Sequence, residues 1–290
     1  MENSINQLPK SAISTNVCLL ESYYQTDFNQ PGLTEAVRFL VSNVQPEKVF
    51  YNPDPFAAFQ LLVLLQDKHA QTADKMKKLQ DAPQLASFNL KLHYTAGSVF
   101  EQNYFWSPVF ATVLCTRENL LYDNGFFSLP SMTVEDLLKH KNNAIDCTAK
   151  IVSDTKKFIA QAQSNGNPLN FKIVLELHHL AKTCLQSLLQ SITGNLIETD
   201  DICTLLQQSL SITVNLSLLF KNEERLLQLL NAGSTDSPQG NSTILQDADL
   251  KTLLEKLAAM CSITEQTVSK WINRYSQQIV KFTNNTLASA

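Results

Sequence analysis

The sequence predicts an α+β chain of two domains: a small mixed-sheet α/β domain over residues 1–130, then an antiparallel helical bundle over residues 131–290. Three observations predict it. The first half alternates short apolar strands with helices in the order helix, strand, strand, helix, strand, helix, strand, the pattern of a layered α/β fold. The second half carries only helical periodicity. Within it, Leu169–Gly194 has an apolar face too wide for a surface helix, so it is expected at the centre of a bundle.

In the first half, Leu33, Ala36, Val37, Leu40, Val41 and Val44 share one face of an amphipathic helix that follows Pro31-Gly32. Glu47–Tyr51 is a strand, closed by the turn-rich Asn52-Pro53-Asp54-Pro55. Phe59–Leu65, FQLLVLL, is a near-continuous apolar run, as expected of a strand covered on both faces. Thr72–Asp81 reads as a lysine-rich polar helix. Ser87–Thr95 alternates, with Phe88, Leu90, Leu92 and Tyr94 on one face and Asn89, Lys91 and His93 on the other. Gly97–Tyr104 is helical, Val109–Cys115 fits a helix end or a strand, and Leu120–Tyr122 is an edge strand before Asp123-Asn124-Gly125.

In the second half, Ser131-Met132-Thr133-Val134-Glu135 is a capping sequence for a long helix with Val134, Leu137, Leu138, Ile145, Ala149, Val152 and Ile159 at helical steps and a break near Lys141–Asn143. In the central helix, Phe171, Val174, Leu175, His178, Ala181, Leu185, Leu188, Leu189 and Ile192 form the apolar face. Lys172, Glu176, His179, Thr183, Gln186 and Gln190 lie opposite, and Gly194 ends the helix. Thr199-Asp200-Asp201 caps a helix over Ile202–Leu210, and short helices follow at Leu216–Phe220 and Glu223–Ala232. Residues 233–242, GSTDSPQGNS, form a loop. Asp247–Met260 and Thr264–Ile279 read as two further helices with a fraying tail after Lys281, and Trp271 and Ile272 as packing groups on the bundle or on a second subunit.

Composition narrows the function classes. Hydrophobic content is 44% and charged content 17%, enough apolar surface for two cores. Net charge is -4, and the five lysines within 139–157 are interspersed with acids, so no broad nucleic-acid surface is expected. Cys18, Cys115, Cys147, Cys184, Cys203 and Cys261 form no Cys-x-x-Cys pair and read as free thiols of a reducing compartment. The first residues lack a basic-then-apolar leader and no apolar run reaches spanning length, so the expectation is a cytoplasmic protein without a membrane partner.

The phrases QPEKVFYN, FQLLVLL, LHYTAGSVFEQ and LLYDNG, over residues 33–125, resemble the small nucleotidyltransferase-like domain fused to HEPN domains in bacteria. Active members hold two metal ions with a Gly-Ser turn, an Asp-x-Asp strand and a later acid, because in-line attack on a nucleotide triphosphate needs those carboxylates. Here Tyr51-Asn52-Pro53 stands in the place of the Gly-Ser turn, Phe59-Gln60-Leu61 in the place of the first acids, and Lys91 and His93 on the later strand. Gly97-Ser98 reads as a helix-start turn. Asp54, Asp67, Asp74 and Asp81 read as solvated surface charges.

The phrases LELHHLAKTCLQSLLQSITGN, TDDICTLL and NEERLLQLLNA, within residues 132–260, resemble the HEPN bundle. Catalytic HEPN domains cleave RNA with an Arg and a His near the start of a late helix. The matching place, Ala232–Thr243, holds neither. The resemblance therefore implies a degenerate, non-catalytic binding or interaction protein that uses no cofactor and pairs as a homodimer through its bundle. A protein, nucleotide or RNA partner, and a link to RNA processing, stress or defence in bacteria, follow from the resemblance alone.

Five residues are candidates for binding: His93, His178, His179, Asp200 and Asp201. His93, on the polar side of a strand, is expected to be solvated or hydrogen-bonded. His178 is expected to be a core histidine held by the cap at Asp200 or Asp201, and His179 to be solvated. Adjacent histidines point about 100° apart on a helix and do not chelate one metal. Glu198, Asp200 and Asp201 suit a cation, but cap chemistry already accounts for them. No residue is assigned to catalysis or to a metal. Two active alternatives stand beside this reading: a divergent ribonuclease using His178 or His179, and a metal-dependent nucleotidyltransferase with relocated acids.

Overall fold

The computed structural model describes residues 32–54, 57–67, 82, 85, 90–125, 132–164, 171–232 and 247–288. The expected helix over 72–81, the start of the alternating segment at 87–89 and the loop over 233–242 lie outside them. The chain divides into two compact units: the first is drawn from Met1–Pro55, Phe59–Gln102 and Leu114–Pro130, the second from Phe56–Ala58, Asn103–Val113 and Ser131–Ala290. Asn103–Val113, which the sequence groups with the sheet, is thus part of the second unit.

The first unit is a mixed sheet with a helix. α1 (Leu33–Val44) buries Leu33, Ala36, Val37, Leu40 and Val44, the face its spacing predicts. It ends in a left-handed Gln45, whose N–H bonds the Val41 carbonyl at 3.2 Å just ahead of Pro46. Strands β1 (Lys48–Tyr51), β2 (Leu61–Leu65), β3 (Leu92–Ala96) and β4 (Leu120–Asp123) lie in the order β3-β2-β1-β4. β1 is antiparallel to both β2 and β4, and β2 is parallel to β3. All five side chains of β2 are buried, as the unbroken apolar run predicts for a strand covered on both faces. Leu61, Val63 and Leu65 join α1, Val49, Leu92 and Leu121 in one core.

The second unit is helical. α2 (Gly97–Trp106) brings its C-terminal residues into it, followed by α3 (Val109–Leu114), so the apolar 109–115 segment is a helix rather than a strand. α4 (Val134–Ser164), α5 (Phe171–Thr193) and α9 (Asp247–Ala288) are the long helices and pack on one another. α6 (Ile202–Ser209), α7 (Asn215–Leu218) and α8 (Glu224–Asn231) form the short connection between α5 and α9. Phe110 of α3 stacks on the buried Trp271 of α9 with ring centroids 5.4 Å apart, which settles Trp271 as a packing residue of the bundle.

Two expectations for this unit are corrected. α4 runs unbroken through Lys141–Asn143. α9 is one helix of 42 residues instead of two helices and a tail. Its sequence has no Gly or Pro, and Met260, Cys261, Thr264 and Val268 continue the buried face across the expected gap. Lys256 of α9 donates to the Leu219 carbonyl and pairs with Glu223 at 3.4 Å, tying the turn between α7 and α8 to the long helix.

Candidate functional site

In the second unit the predicted residues gather where α5, α6 and α8 meet. His178 sits in the middle of α5 and is only 4% exposed. Its Nδ1 lies 2.9 Å from the Leu230 carbonyl oxygen. That carbonyl belongs to the last turn of α8, where carbonyls are left without the regular helical N–H, and the ring adds a donor to it. The partner of His178 is therefore α8, not the acidic cap of α6 that the sequence suggests. A carbonyl accepts only, so Nδ1 is the donor of this bond and Nε2 takes no part in it. That Nε2 is buried and finds no hydrogen-bond partner among the described residues.

Asp200 and Asp201 are drawn to separate tasks. Lys182, one turn after His178 on α5, donates to Asp200, and both side chains are half-buried. Asp201 is the N-cap of α6, as its place before Ile202 predicts. Its carboxylate accepts from Cys203 N at 3.2 Å, Thr204 N at 3.0 Å, the Thr204 hydroxyl at 2.6 Å and Asn231 Nδ2 at 3.0 Å. Those four bonds use the acceptor sites of a carboxylate, so Asp201 has no lone pair left for a cation. The Thr204 hydroxyl bond first, with the backbone N–H groups of Thr204 and Cys203 and the Asn231 amide, holds Asp201 below the usual carboxylate range against burial, the second-largest effect. Asn231 completes the junction by accepting from Ile202 N at 2.9 Å. Sequence reasoning missed Asn231 because it lies 30 residues from Asp201, at the end of another helix. His179 is exposed on the other side of α5, as predicted.

In the first unit His93 lies apart from these residues. It lies on β3 with its ring 5.1 Å from that of Phe59, tilted by 31°. Burial pushes its pKa down to about 4, so the ring is neutral near pH 7. The positions that the resemblance assigns to chemistry are likewise structural. Asn52 is buried and accepts from Asp54 N at 3.2 Å, an Asx turn. Gln60 accepts from Lys91 N at 2.9 Å, which ties the start of β2 to the start of β3.

Two acids meet at the opposite end of the sheet: Glu47, which the sequence does not single out, and Asp67, which it reads as a solvated surface charge but which caps a helix. Glu47 precedes β1 and Asp67 follows β2, and the antiparallel pairing of those strands brings them together. Burial first, then the charge of Asp67, raises the Glu47 pKa, with Lys48 opposing. Lys48 pairs with Asp123 across β1 and β4 at 2.5 Å. Asp67 accepts from Ser98 N at 3.1 Å and so caps α2, making Gly97-Ser98 the helix-start turn that was expected. Only the strand order brings Glu47 and Asp67 together, and no local motif marks it. Among the described residues no group of three or more His, Cys, Asp or Glu side chains is arranged to hold a metal ion.

Comparison of the chain with family models, with curated proteins and with solved structures returns no match. Among the described residues no helix is long and apolar enough to cross a membrane. The fold stands as a mixed α/β sheet unit and a helical bundle, without a family assignment.

Proposed function

We propose that this chain is a non-catalytic interaction protein of the nucleotidyltransferase–HEPN type, and that it pairs with a second copy of itself through the bundle. The observation that carries the reading is a row of exposed apolar residues on α4, with Lys141 among them, that no described residue covers. Val134, Leu138 and Ile145 are exposed, and their spacings of four and seven residues keep them within about 40° of one another on the helix. A stripe of this kind along a long helix is the footprint of a helix-to-helix association. Supporting it, two of the places where the resemblance would put chemistry in the sheet unit are given over to folding, Asn52 to a turn and Leu61 to the core, and two of the candidate binding residues serve the bundle, His178 at a helix end and Asp201 as a cap.

The test joins light scattering with two assays. A dimer in solution, with no RNA cleavage and no metal-dependent incorporation of labelled nucleotide, is the expected result. RNA cleavage that disappears on His178→Ala or His179→Ala would turn the reading toward the ribonuclease alternative.

A second reading, nucleotide transfer with relocated acids, draws on the approach of Glu47 to Asp67 beside the start of α2. Incorporation of labelled nucleotide that needs Mg²⁺ and is lost in Glu47→Gln would favour it over the interaction role.

A further inference from the structure

The exposed row on α4 continues from Val134, Leu138 and Ile145 to Ala149, which is exposed as well. Its two edges differ. With about 100° per residue, Leu137, Ala144 and Thr148 fall along one edge. All three are buried, so that edge faces the chain's own bundle. Glu135, Lys139, Asp146 and Lys150 fall along the other edge, within about 60° of one another, and all four are exposed. Glu135 with Lys139, and Asp146 with Lys150, have the four-residue spacing of a helix ion pair. Among the described residues, however, none of the four takes part in an ion pair.

Row and charged edge share one spacing, steps of four, seven and four residues, which reads the same from either end. The charges do not: reversing the helix puts a base where each acid stood and an acid where each base stood. The surface is therefore complementary to its own reverse. Symmetry favours the same arrangement. A two-fold axis that makes the helices antiparallel sets like edge beside like edge, charged against charged. A parallel pair would set the charged edge of each copy against the bundle side of the other, and every row residue beside its own counterpart.

We infer that a second copy of the chain docks its own α4 antiparallel on this row, about a two-fold axis beside Asn142; the inference rests on the pairing proposed above and adds its direction and register. Leu138 then meets Ile145 of the second copy, and Val134 meets Ala149. Glu135 faces Lys150, and Lys139 faces Asp146, each contact being made twice. Lys141 falls next to the axis on the bundle-side edge, where its long stem covers apolar surface while its ammonium reaches water. The apolar row supplies the buried area, and the charged edge selects the direction.

The test is a charge exchange in the full chain, read by sedimentation equilibrium, with circular dichroism as the check on folding. Glu135→Lys alone and Lys150→Glu alone are each expected to raise the dimer Kd about fivefold or more, because each sets like charges together at two symmetric places. The two combined restore opposite charges and should return the Kd to within about twofold of the parent. A positional readout accompanies it. Asn142→Cys, beside the axis, is expected to form a disulfide with its own counterpart on mild oxidation. Val134→Cys, whose counterpart lies roughly 22 Å along the helix, is not. Peptide mapping separates these links from those of the native cysteines. A dimer in which the exchange restores nothing, or in which Val134→Cys links to its own counterpart, overturns the antiparallel docking and leaves the pairing itself standing. A parent that stays monomeric at every concentration removes the pairing and the docking together.

Discussion

The backbone of Gly194 runs so close to Asn103 that a Cβ on Gly194 would lie 2.0 Å from the Asn103 carbonyl oxygen and 2.8 Å from Ser107 N. The glycine also holds φ 71°, a conformation that residues with a side chain rarely adopt. Beside it the Ser107 hydroxyl donates to the Ser191 carbonyl at 2.7 Å, satisfying one of the open carbonyls at the end of α5. The end of α5 is thus fixed by a close backbone approach and a side-chain bond together. Gly194→Ala is expected to cost more than about 2 kcal/mol, since backbone strain and a steric clash coincide. Ser107→Ala, which removes only the hydrogen bond, is expected to cost about 1 kcal/mol. Urea unfolding of both variants checks the ranking, and equal stabilities would contradict the close approach.

His178 and His179 are neighbours in sequence with opposite fates. Replacing His178 by Ala opens a cavity in the core and removes the ring's bond to the Leu230 carbonyl. A loss of about 2–4 kcal/mol is expected. His179→Ala, on the exposed side, is expected to stay within about 0.5 kcal/mol of the parent. Thermal melts of the two variants side by side decide it. A mild effect at 178 would mean that the Leu230 contact is dispensable.

The contrast shows what the sequence carried. Helical spacing was enough to place His178 inward and His179 outward, because it reads which face is apolar. It was not enough to name the partner, because the carbonyl that accepts from the ring belongs to α8, 52 residues away. The same division holds elsewhere. Asp201 was legible as a cap because capping is local, and β2 was legible because a strand covered on both faces leaves an unbroken apolar run. The single length of α9 was missed because Cys261 to Thr264 do not look apolar enough to bridge two helices, although Cys261 and Thr264 are buried in the bundle. Glu47 and Asp67 were invisible as a pair because only the sheet pairing brings them close.

His93 makes the stability of the sheet unit depend on pH. Its pKa falls from the usual 6.5 to about 4 because burial against Phe59 disfavours the charged ring. Between those values the unfolded chain binds the proton and the folded chain does not. Stability from this residue is therefore full above pH 6.5, declines as pH falls toward 4, and is not reduced further below that. For a partly exposed ring the change is on the order of 2 kcal/mol. His93→Phe keeps the aromatic contact and removes the titration. Unfolding free energies at pH 7 and pH 4.5 should differ by less in this variant than in the parent, and an unchanged difference would refute the assignment.

Asp201 supplies the opposite kind of pH dependence, because its folded carboxylate is stabilised by four donors. Its pKa is depressed, so its contribution is present above the ordinary carboxylate range and is lost as pH falls through the lower folded value. Asp201→Ala is expected to cost about 1–2 kcal/mol at pH 7, and Asp201→Asn less, because an amide still accepts from the helix N–H groups. Amide hydrogen exchange provides the local readout. Cys203 and Thr204 amides should lose protection in the alanine variant before those of the α5 core do. Uniform loss across the bundle would show a global effect instead of a cap.

The α4 stripe gives the prediction that separates association from folding. Leu138 and Ile145 are exposed, so charging them leaves no buried group unpaired in the single chain. In a pair of helices joined along that stripe the same charges would be buried without partners. Leu138→Glu combined with Ile145→Glu is therefore expected to weaken self-association by about tenfold or more, while the unfolding free energy of the dilute protein stays within about 1 kcal/mol of the parent. Because binding only the folded state makes the melting temperature rise with protein concentration, the parent should show that dependence and the double variant should not. Leu137, one residue away, is the control: it is buried, and Tyr275 donates to its carbonyl at 3.0 Å, so Leu137→Glu should destabilise the fold at every concentration. A parent that stays monomeric at all concentrations, or a double variant that dimerises as well as the parent, would place the association surface elsewhere or remove it.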